Sequence, residues 1–319
     1  MLLNMGGPGS IFEIESFLKR IFNDPLILNI KSEFGRKMLA NFITHQRLDE
    51  VKKNYQLIGG KSPIIEHTLK ITQRLNEIDS ERFYTYAMRY TAPFAYDVLD
   101  DIKKQGFESV ILFSMYPQFC HSTIYSSIVD AKNALKSLDF HPQLRIVSDY
   151  ATHPAYIQCA VQKIKESLGN DNPQDFSLLL SAHSLPLSRI KQGDPYQNEC
   201  EANLKAIQES LEQENIHFKK ILLAYQSKVG MMKWLGPSTQ ETLNKYKKHK
   251  LILYPLSFTV DNSETIYELC IQYANLAREL GVPEYRVCKC FNDDEMFIQA
   301  ILRIISEHIQ DSHSHKSEV

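Results

Sequence analysis

The sequence contains no long hydrophobic run. A helix that crosses a membrane needs about 18 consecutive apolar residues, whereas the longest apolar runs here, 109–115 and 176–181, have the length of strands. The N-terminus also lacks the basic segment and apolar core of a secretory signal. We therefore predict a cytoplasmic protein without membrane-spanning helices. Because the strand-like residues Leu2-Leu3-Asn4 directly follow Met1, we also expect a clipped or mis-started N-terminus.

An excess of basic residues is absent as well. Lys and Arg number 36, and Asp and Glu number 38, so the formal charge is −2 and nucleic-acid binding is disfavoured.

The six cysteines are scattered, and the closest pair, Cys288 and Cys290, lacks the second Cys-x-x-Cys that would indicate a zinc site. We interpret this pair as strand cysteines. The polar residues 311–319, with His313 and His315, are interpreted as a tail and not as a metal site.

Common catalytic and nucleotide-binding patterns are also missing, namely Gly-x-Gly-x-x-Gly, His-Glu-x-x-His and Gly-x-Ser-x-Gly. Gly59-Gly60-Lys61-Ser62 is similar to a phosphate-binding loop. However, Tyr55 stands where that loop requires glycine, and Pro63 follows the serine. The sequence thus argues against dinucleotide-binding, zinc-protease and α/β-hydrolase functions.

What the chain does contain is a regular alternation of short apolar runs and segments of helical period. We predict strands at residues 82–90, 109–115, 144–148, 176–181, 220–225, 251–255 and 285–288, and helices that include 155–168, 197–212 and 264–280. The alternation predicts βαβ units, and the unbroken apolar runs indicate parallel sheets covered by helices on both faces. At about 150 residues per domain, the length fits two doubly wound halves with a seam near residues 114–118.

His183 stands where parallel sheets bind their ligands. It follows the apolar run 176–181, and ligands of such sheets bind beyond the carboxyl ends of the strands. An imidazole there can accept a proton near neutral pH. The alternative is a histidine that is hydrogen-bonded for structural reasons only.

A row of carboxylates follows the run 251–255. Asp261, Glu264 and Glu268 are spaced i, i+3 and i+7, so they share one face of a helix and would attract a cation. The spacing also fits a structural alternative in which Asp261 and Glu264 cap a helix N-terminus. The residues alone leave both interpretations open.

Aromatic side chains are concentrated in two places. Residues 12–30 contain Phe12, Phe17 and Phe22, and Trp234 lies close to two methionines. These segments would suit a large, flat, apolar ligand. The alternative is ordinary core packing of an amphipathic helix.

Nine short segments follow one another in a specific order: Leu3-Asn-Met-Gly-Gly-Pro8, Ile58-Gly-Gly-Lys-Ser-Pro63, Met88-Arg-Tyr90, Tyr116-Pro-Gln118, Ser181-Ala-His-Ser-Leu-Pro186, Gly193-Asp-Pro-Tyr196, Tyr225-Gln-Ser-Lys-Val-Gly230, Trp234-Leu-Gly-Pro237 and Glu264-Thr265. In this order they resemble the ferrochelatase family, whose members complete haem synthesis. The resemblance runs nearly from end to end of the chain.

The resemblance implies an α/β fold of two similar Rossmann-like domains, with parallel sheets flanked by helices and a porphyrin cleft between the domains. We place the N-terminal domain at residues 1–114 plus 295–319, with a lip over the cleft at 12–30, and the C-terminal domain at 115–294. The implied reaction inserts Fe2+ into protoporphyrin IX and releases two protons. It requires proton acceptors and a means to distort the ring.

The resemblance also implies the roles of individual residues. His183 and Glu264 are catalytic, lie on opposite sides of the ring, and both accept protons and contact the metal. Glu268 is a further metal contact. The implied substrate-binding residues are Arg89, Tyr90, Tyr116, Ser122 and Trp234.

The chain departs from the family pattern at three places. Asn262 stands where many relatives carry histidine, and it cannot accept a proton, so its role is limited to hydrogen bonding. Gln272 stands where some relatives carry a third carboxylate, which weakens the case for a metal path along the acidic row. The segment Ser122-Thr-Ile-Tyr-Ser-Ser127 replaces a loop of smaller residues.

The resemblance implies that no cofactor is required, because Fe2+ is a substrate. No cysteine follows Cys290, so we predict no iron–sulfur cluster of the kind that animal relatives carry. The expected partners are the porphyrin and Fe2+, with peripheral contact to the inner membrane or to the preceding enzyme of haem synthesis as further options. Coproporphyrin III as the substrate, or a non-catalytic porphyrin- or haem-binding homologue, are the alternative functions.

Overall fold

The computed structural model describes residues 1–228, 230 and 232–314, without the side chains of 311–314, and consists of two compact units. The first unit is Met1–Ser148, and the second begins at Asp149. Each unit contains one sheet of four parallel strands flanked by helices, so the predicted fold class is confirmed. None of the helices in the described part has the length and apolar character that crossing a membrane requires.

The first unit contains the strands β1 (Leu2–Asn4), β2 (Tyr86–Met88), β3 (Ser109–Ser114) and β4 (Gln143–Val147). They lie in the order β2-β1-β3-β4. The helices are α1 (Ile14–Phe22), α2 (Glu33–Leu57), α3 (Ile64–Ile78), α4 (Ala95–Lys104) and α5 (Ser126–Ser137). A π-helix at His121–Tyr125 leads directly into α5.

The second unit contains the strands β5 (Phe176–His183), β6 (Lys220–Gln226), β7 (Lys250–Pro255) and β8 (Tyr285–Val287). Their order, β6-β5-β7-β8, repeats that of the first sheet. The α-helices are α6 (Pro154–Leu168), α7 (Leu187–Lys191), α8 (Tyr196–Gln213), α9 (Thr239–Lys245), α10 (Tyr273–Glu279) and α11 (Glu295–Ser314). A 3-10 turn lies at Pro173–Asp175, and a second π-helix occupies Glu264–Gln272.

β5 lies inside the core of the second unit. Leu178, Leu179 and Leu180 have no exposed surface, so successive side chains on both faces of the strand are covered. This burial explains why the strand is an unbroken apolar run. It ends at the half-buried His183, where the sheet meets its polar edge.

The aromatic segment 12–30 contains both buried and exposed side chains. Ile14, Phe17 and Leu18 of α1 are buried against Tyr55 and Tyr90, which is the core packing expected for an amphipathic helix. Phe12, just before α1, is 88 % exposed.

The boundary between the units differs from the one placed at residue 114. β4 pairs with β3, so residues 115–148 belong to the first unit. α11 packs against α6, and His153 Nε2 lies 2.8 Å from an oxygen of Glu307, so this helix joins the second unit and not the first. α11 also extends to Ser314, into the stretch interpreted as a tail, and residues 315–319 lie outside the described residues.

Arg286 of β8 closes the C-terminal end of α6. Its Nη1 donates hydrogen bonds to the carbonyl oxygens of Ser167 and Leu168, at 2.9 and 3.0 Å. The guanidinium also lies 4.6 Å from the centre of the Phe176 ring. Carbonyl groups at the end of a helix have no partner within the helix, so Arg286 satisfies two of them.

We expect Arg286→Ala to lower the free energy of unfolding by about 1–3 kcal/mol, because it leaves these two carbonyls without their donor. Lys250 offers a matched control, since Lys250 and Arg286 both pair with Glu284 and both lie over the ring of Phe176. Lys250→Ala should cost less than about 1 kcal/mol, as is typical of an exposed ion pair. Urea unfolding of both variants measures the difference, and equal losses would contradict the capping role.

Candidate functional site

The carboxyl edge of the second sheet brings together the residues singled out in that half of the chain. His183 is the last residue of β5 and pairs in register with Gln226, the last residue of β6. The second π-helix, which follows β7 in the chain, begins at Glu264. Because the strands are parallel, their carboxyl ends meet at one edge, and the residues that follow them lie there.

His183 and Glu264 are in direct contact, so the expectation that they lie on opposite sides of the ring is wrong. His183 Nδ1 lies 2.8 Å from Glu264 Oε2. The side chains are 38 % and 27 % exposed, so a ligand can reach both. His183 is therefore hydrogen-bonded, as its structural alternative requires, and accessible, as a catalytic role requires.

Ser227 connects the two glutamates of the π-helix. Its hydroxyl is within hydrogen-bond distance of Glu264 Oε2, at 2.8 Å, and of Glu268 Oε2. Its single proton is donated to one of these carboxylates at a time. Its backbone N–H donates to Glu268 Oε1 at 2.8 Å, and the hydroxyl of Tyr273 donates to the same oxygen at 2.9 Å. The three residues predicted to contact metal thus belong to one hydrogen-bonded network.

The contact shifts the pKa values of both partners. Burial lowers the pKa of His183, but the charge and hydrogen bond of Glu264 and the charge of Glu268 outweigh it, so the pKa lies above its ordinary value of 6.5. Burial raises the pKa of Glu264, but the charge and hydrogen bond of His183 and the hydrogen bond from Ser227 lower it below its usual range. Ionisation of each partner therefore favours ionisation of the other.

Glu268 shifts in the opposite direction. Burial and the charge of Glu264 raise its pKa, and the hydrogen bonds from Ser227 and Tyr273 offset this only in part. Glu268 is therefore a stronger proton acceptor than an exposed glutamate.

The start of the π-helix is stabilised by Asn262 and not by Glu264. The side-chain oxygen of Asn262 accepts hydrogen bonds from the N–H groups of Glu264 and Thr265, at 2.8 and 3.4 Å. The interpretation of Glu264 as a cap is therefore wrong. Asp261 accepts from Thr265 and Asn292, at 2.9 and 2.8 Å, so it is occupied before the helix begins and the acidic row reduces to Glu264 and Glu268.

In the first unit, Asp24 is the centre of a buried network. Its Oδ2 accepts hydrogen bonds from Arg89 Nη2 at 2.9 Å, from the hydroxyl of Tyr90 at 2.8 Å, and from the hydroxyl of Ser126. Its Oδ1 accepts from the N–H of Leu26 at 2.8 Å. Arg89 and Tyr90 directly follow β2, so they too lie at the carboxyl end of a strand. Tyr90 itself is only 2 % exposed.

Arg89 has a second carboxylate partner. Its Nη1 lies 3.3 Å from Asp130 Oδ1, and its guanidinium lies 5.1 Å from the centre of the Tyr90 ring. Burial and the charge of Asp24 raise the pKa of Asp130, although Arg89 lowers it. Two carboxylates thus share one cation.

The remaining predicted substrate-binding residues are divided between the two units, with Tyr116 and Ser122 in the first and Trp234 in the second. Tyr116 packs against the core cluster of the first unit, and Ser122 lies in its π-helix. Trp234 forms an isolated bridge with Pro186, close in the chain to His183. All three are half-buried.

Several residues of these networks were not assigned to a site from the sequence, among them Ser227, Tyr273 and Asp24. Ser227 has a detectable signal, because it directly follows the apolar strand β6. Tyr273 has none, because it is spaced i+5 from Glu268, and α-helical spacing does not place such residues on one face. Asp24 lies in an ordinary polar turn before Pro25.

The second-unit network suits proton transfer better than permanent metal binding. Within the described residues, no group of three or more His, Cys, Asp or Glu side chains is arranged to hold a metal ion. His183 and Glu264 contact each other instead. A metal ion could replace that contact in passing, since imidazole nitrogen and carboxylate oxygen both bind divalent transition metals.

We expect the imidazole of His183 to titrate above pH 6.5, and Glu264→Gln to lower its pKa by removing the charge that favours the imidazolium. The stabilisation from this pair is fully present between pH 4.5 and 6.5, the ordinary pKa values of the two groups. It is lost as the pH rises through the folded-state pKa of His183 or falls through that of Glu264. NMR titration of the ring signals measures both effects. His249, which contacts Ser177, is an internal control that should not respond, and an unchanged His183 pKa in the variant would contradict the assignment.

Solved structures of chelatases share the fold. SirB from Bacillus subtilis with Fe3+ superposes with a TM-score of 0.60 at 10 % identity, covering 78 % of this chain and 91 % of that one. CbiX, described as the terminal enzyme for sirohaem biosynthesis in denitrifying bacteria, gives 0.53 at 12 % identity, with 77 % and 93 % covered. At these identities the likeness concerns the fold alone.

Sequence comparison gives a closer relationship. A ferrochelatase from Helicobacter hepaticus is 66 % identical over 306 residues, which cover 96 % of this chain and 98 % of that protein. A ferrochelatase from Wolinella succinogenes is 47 % identical over 307 residues, with 96 % and 97 % covered. The family model named Ferrochelatase matches residues 1–309. The chain therefore belongs to the ferrochelatase family.

Proposed function

We propose that the chain is a ferrochelatase, which inserts Fe2+ into protoporphyrin IX to form protohaem and releases two protons. The observation that carries the proposal is the accessible network of His183, Glu264 and Glu268 in a chain of this family. Proton acceptors that are also metal ligands are what this reaction requires.

His183 is suited to accept the first pyrrole proton. Its Nδ1 faces Glu264, so Nε2 is the nitrogen that can meet a substrate. When Nε2 takes the proton, Glu264 stabilises the imidazolium, as a carboxylate does for the general base of a hydrolase.

The carboxylates are suited to accept the second proton. Glu264 and Glu268 lie four residues apart on one side of the π-helix, and the hydroxyl of Ser227 contacts both. Because the pKa of Glu268 is raised, this group binds a proton at a pH where an exposed glutamate has lost it.

The same side chains suit the iron. Fe2+ binds imidazole nitrogen and carboxylate oxygen, so His183 and Glu264 are each proposed as proton acceptor and metal contact, with Glu268 as a further contact. A weak, transient contact favours turnover, since a metal held tightly by the protein would not move to the porphyrin.

The proposed reaction needs no redox cofactor. The porphyrin loses two protons and gains Fe2+, so charge balances and iron keeps its oxidation state. The proposal therefore treats Fe2+ and the porphyrin as substrates and includes neither a nucleotide nor an iron–sulfur cluster.

The proposed substrate-binding residues divide by exposure. Tyr116, Ser122 and Trp234 are half-buried, which supports contact with a porphyrin. Arg89 is 22 % exposed in its side chain. Tyr90 is buried with its hydroxyl on Asp24, so we propose that it acts by holding that carboxylate in place.

The direct test is metal insertion by the purified protein. We expect that protoporphyrin IX mixed with Fe2+ under anaerobic conditions, or with Zn2+, gives the visible spectrum of the metalloporphyrin. Coproporphyrin III is run in parallel, and faster turnover of that porphyrin would replace the proposed substrate. A folded protein that binds porphyrin but forms no metalloporphyrin with either substrate would refute the enzyme.

His183→Ala should lower kcat by at least about 100-fold, the usual contribution of a general base. The fold should persist, because His183 is half-buried at a strand end. His249→Ala is the matched control, since His249 lies beside the opposite end of β5, 2.8 Å from Ser177, and should retain turnover. Circular dichroism checks folding, and a folded His183→Ala protein with full activity would exclude the catalytic role.

Glu264→Gln should reduce kcat strongly, because the amide neither accepts a proton nor stabilises the imidazolium. Asn262 stabilises the start of the π-helix, so the variant should keep its melting temperature to within a few degrees. Unchanged kcat would restrict Glu264 to a structural role.

A further inference from the structure

We infer that Tyr273 is a positioning residue that restricts Glu268 to one oxygen, Oε2, in its contact with the metal ion. The inference rests on the proposed function, in which Glu268 contacts the metal before the porphyrin takes it. It goes beyond that proposal by assigning a residue that acts through Glu268, and by naming the oxygen that the metal meets.

Two donors occupy the other oxygen of Glu268, Oε1. The backbone N–H of Ser227 donates to it at 2.8 Å, and the hydroxyl of Tyr273 donates to it at 2.9 Å. A carboxylate oxygen has two lone pairs, so these two donors engage both of them. A metal ion that binds Oε1 must therefore displace a donor. The Ser227 donor is part of the backbone, so Tyr273 is the donor that a substitution can remove.

The donors at Oε2 of Glu268 are exchangeable. The hydroxyl of Ser227 contacts this oxygen and also Glu264 Oε2, at 2.8 Å from the latter. Gln226 Nε2 lies 3.5 Å from Glu268 Oε2 and 3.4 Å from Glu264 Oε2. Both donors keep an acceptor on Glu264 when a metal ion takes Oε2 of Glu268. Binding of the metal is therefore less costly at Oε2 than at Oε1, where a hydrogen bond is lost.

The fold holds the Tyr273 hydroxyl at this carboxylate. The Tyr273 side chain is buried in the core cluster of the second unit together with Leu253 and Leu269. Tyr273 is the first residue of α10, directly after the π-helix. The bonds of a π-helix join residues i and i+5, which is the spacing of Glu268 and Tyr273. The π-helix therefore brings the hydroxyl and the carboxylate to one side.

A contact through one oxygen suits the transfer of the metal. A carboxylate that binds through both oxygens holds a metal ion more firmly than one that binds through a single oxygen. Tight binding of the metal before the reaction lowers kcat when the transition state does not share it. Tyr273 thus keeps the contact of Glu268 weak enough for the porphyrin to take the metal.

Tyr273→Phe removes the hydroxyl and keeps the buried ring. Both oxygens of Glu268 can then bind the metal, so we expect the Kd of Zn2+ without porphyrin to fall about fivefold, the scale of one net hydrogen bond. Competition with a chromophoric chelator measures this Kd. In the insertion assay, kcat and the KM for Zn2+ should fall together by a similar factor, with the KM for the porphyrin unchanged.

Tyr285→Phe is the matched control. The hydroxyl of Tyr285 donates to the carbonyl oxygen of Leu269, in the same π-helix, at 3.0 Å, so its single proton is not available to Glu268. This variant should lower the melting temperature and leave the Kd of Zn2+ at the wild-type value. In a Glu268→Gln background, Tyr273→Phe should leave the Kd unchanged, because an amide cannot bind through two oxygens.

A crystal structure of the wild-type protein soaked with Zn2+ gives a readout that needs no variant. The metal should lie at a bonding distance of about 2.1 Å from Oε2 of Glu268, with Oε1 still hydrogen-bonded to Tyr273. A metal ion bonded to both oxygens would overturn the inference.

A lower Kd in Tyr273→Phe, with the wild-type Kd in Tyr285→Phe, would establish the role of Tyr273. An unchanged or higher Kd in folded Tyr273→Phe, or an equal decrease in Tyr285→Phe, would overturn it. Failure of the proposed function is a separate result, because it would appear as absent metal insertion by the wild-type protein. The Kd comparison needs no porphyrin and would still decide the role of Tyr273.

Discussion

Parallel pairing of the strands is the constraint on which both networks depend. It brings every carboxyl end of a sheet to the same edge, so residues that directly follow different strands become neighbours. His183 and Gln226 end two paired strands, and Arg89 follows a strand of the other sheet. The strands themselves are apolar and buried, since Leu178 to Leu180 are fully covered, so the polar groups lie at the strand ends. Parallel pairing therefore accounts both for the burial of the strands and for the polar residues gathered at their carboxyl ends.

Each unit stabilises a carboxylate at the carboxyl edge of its sheet in the same way. A carboxylate that is partly or fully removed from water needs donors, and each unit supplies a cation and a serine hydroxyl. In the second unit these are His183 and Ser227 around Glu264, and in the first they are Arg89 and Ser126 around Asp24. The exposure differs, because Glu264 is open to ligands whereas Asp24 is closed. The network around Glu264 is therefore suited to exchange protons, and the network around Asp24 is suited to keep a fixed geometry.

The sequence predicts the strands well because their signal is local. Unbroken apolar runs at 109–115 and 176–181 need no knowledge of distant contacts, and His183 and Glu264 can be found from their places near strand ends. Asp24 cannot, since its partners Arg89 and Ser126 lie 65 and 102 residues away in the chain. The boundary between the units also depends on a non-local contact. No linker in the sequence marks it, and it follows from the pairing of β4 with β3.

Ser227 has a left-handed backbone, with φ of +63°. Glycine adopts this conformation without strain, whereas other residues pay about 1 kcal/mol or more. Selection for thermal stability alone would therefore favour glycine at this position. Glycine would keep the backbone N–H that Glu268 accepts from, but it would remove the hydroxyl that contacts both carboxylates. Stability and activity thus make opposite demands on this residue, and a thermostable redesign of the enzyme should leave it unchanged.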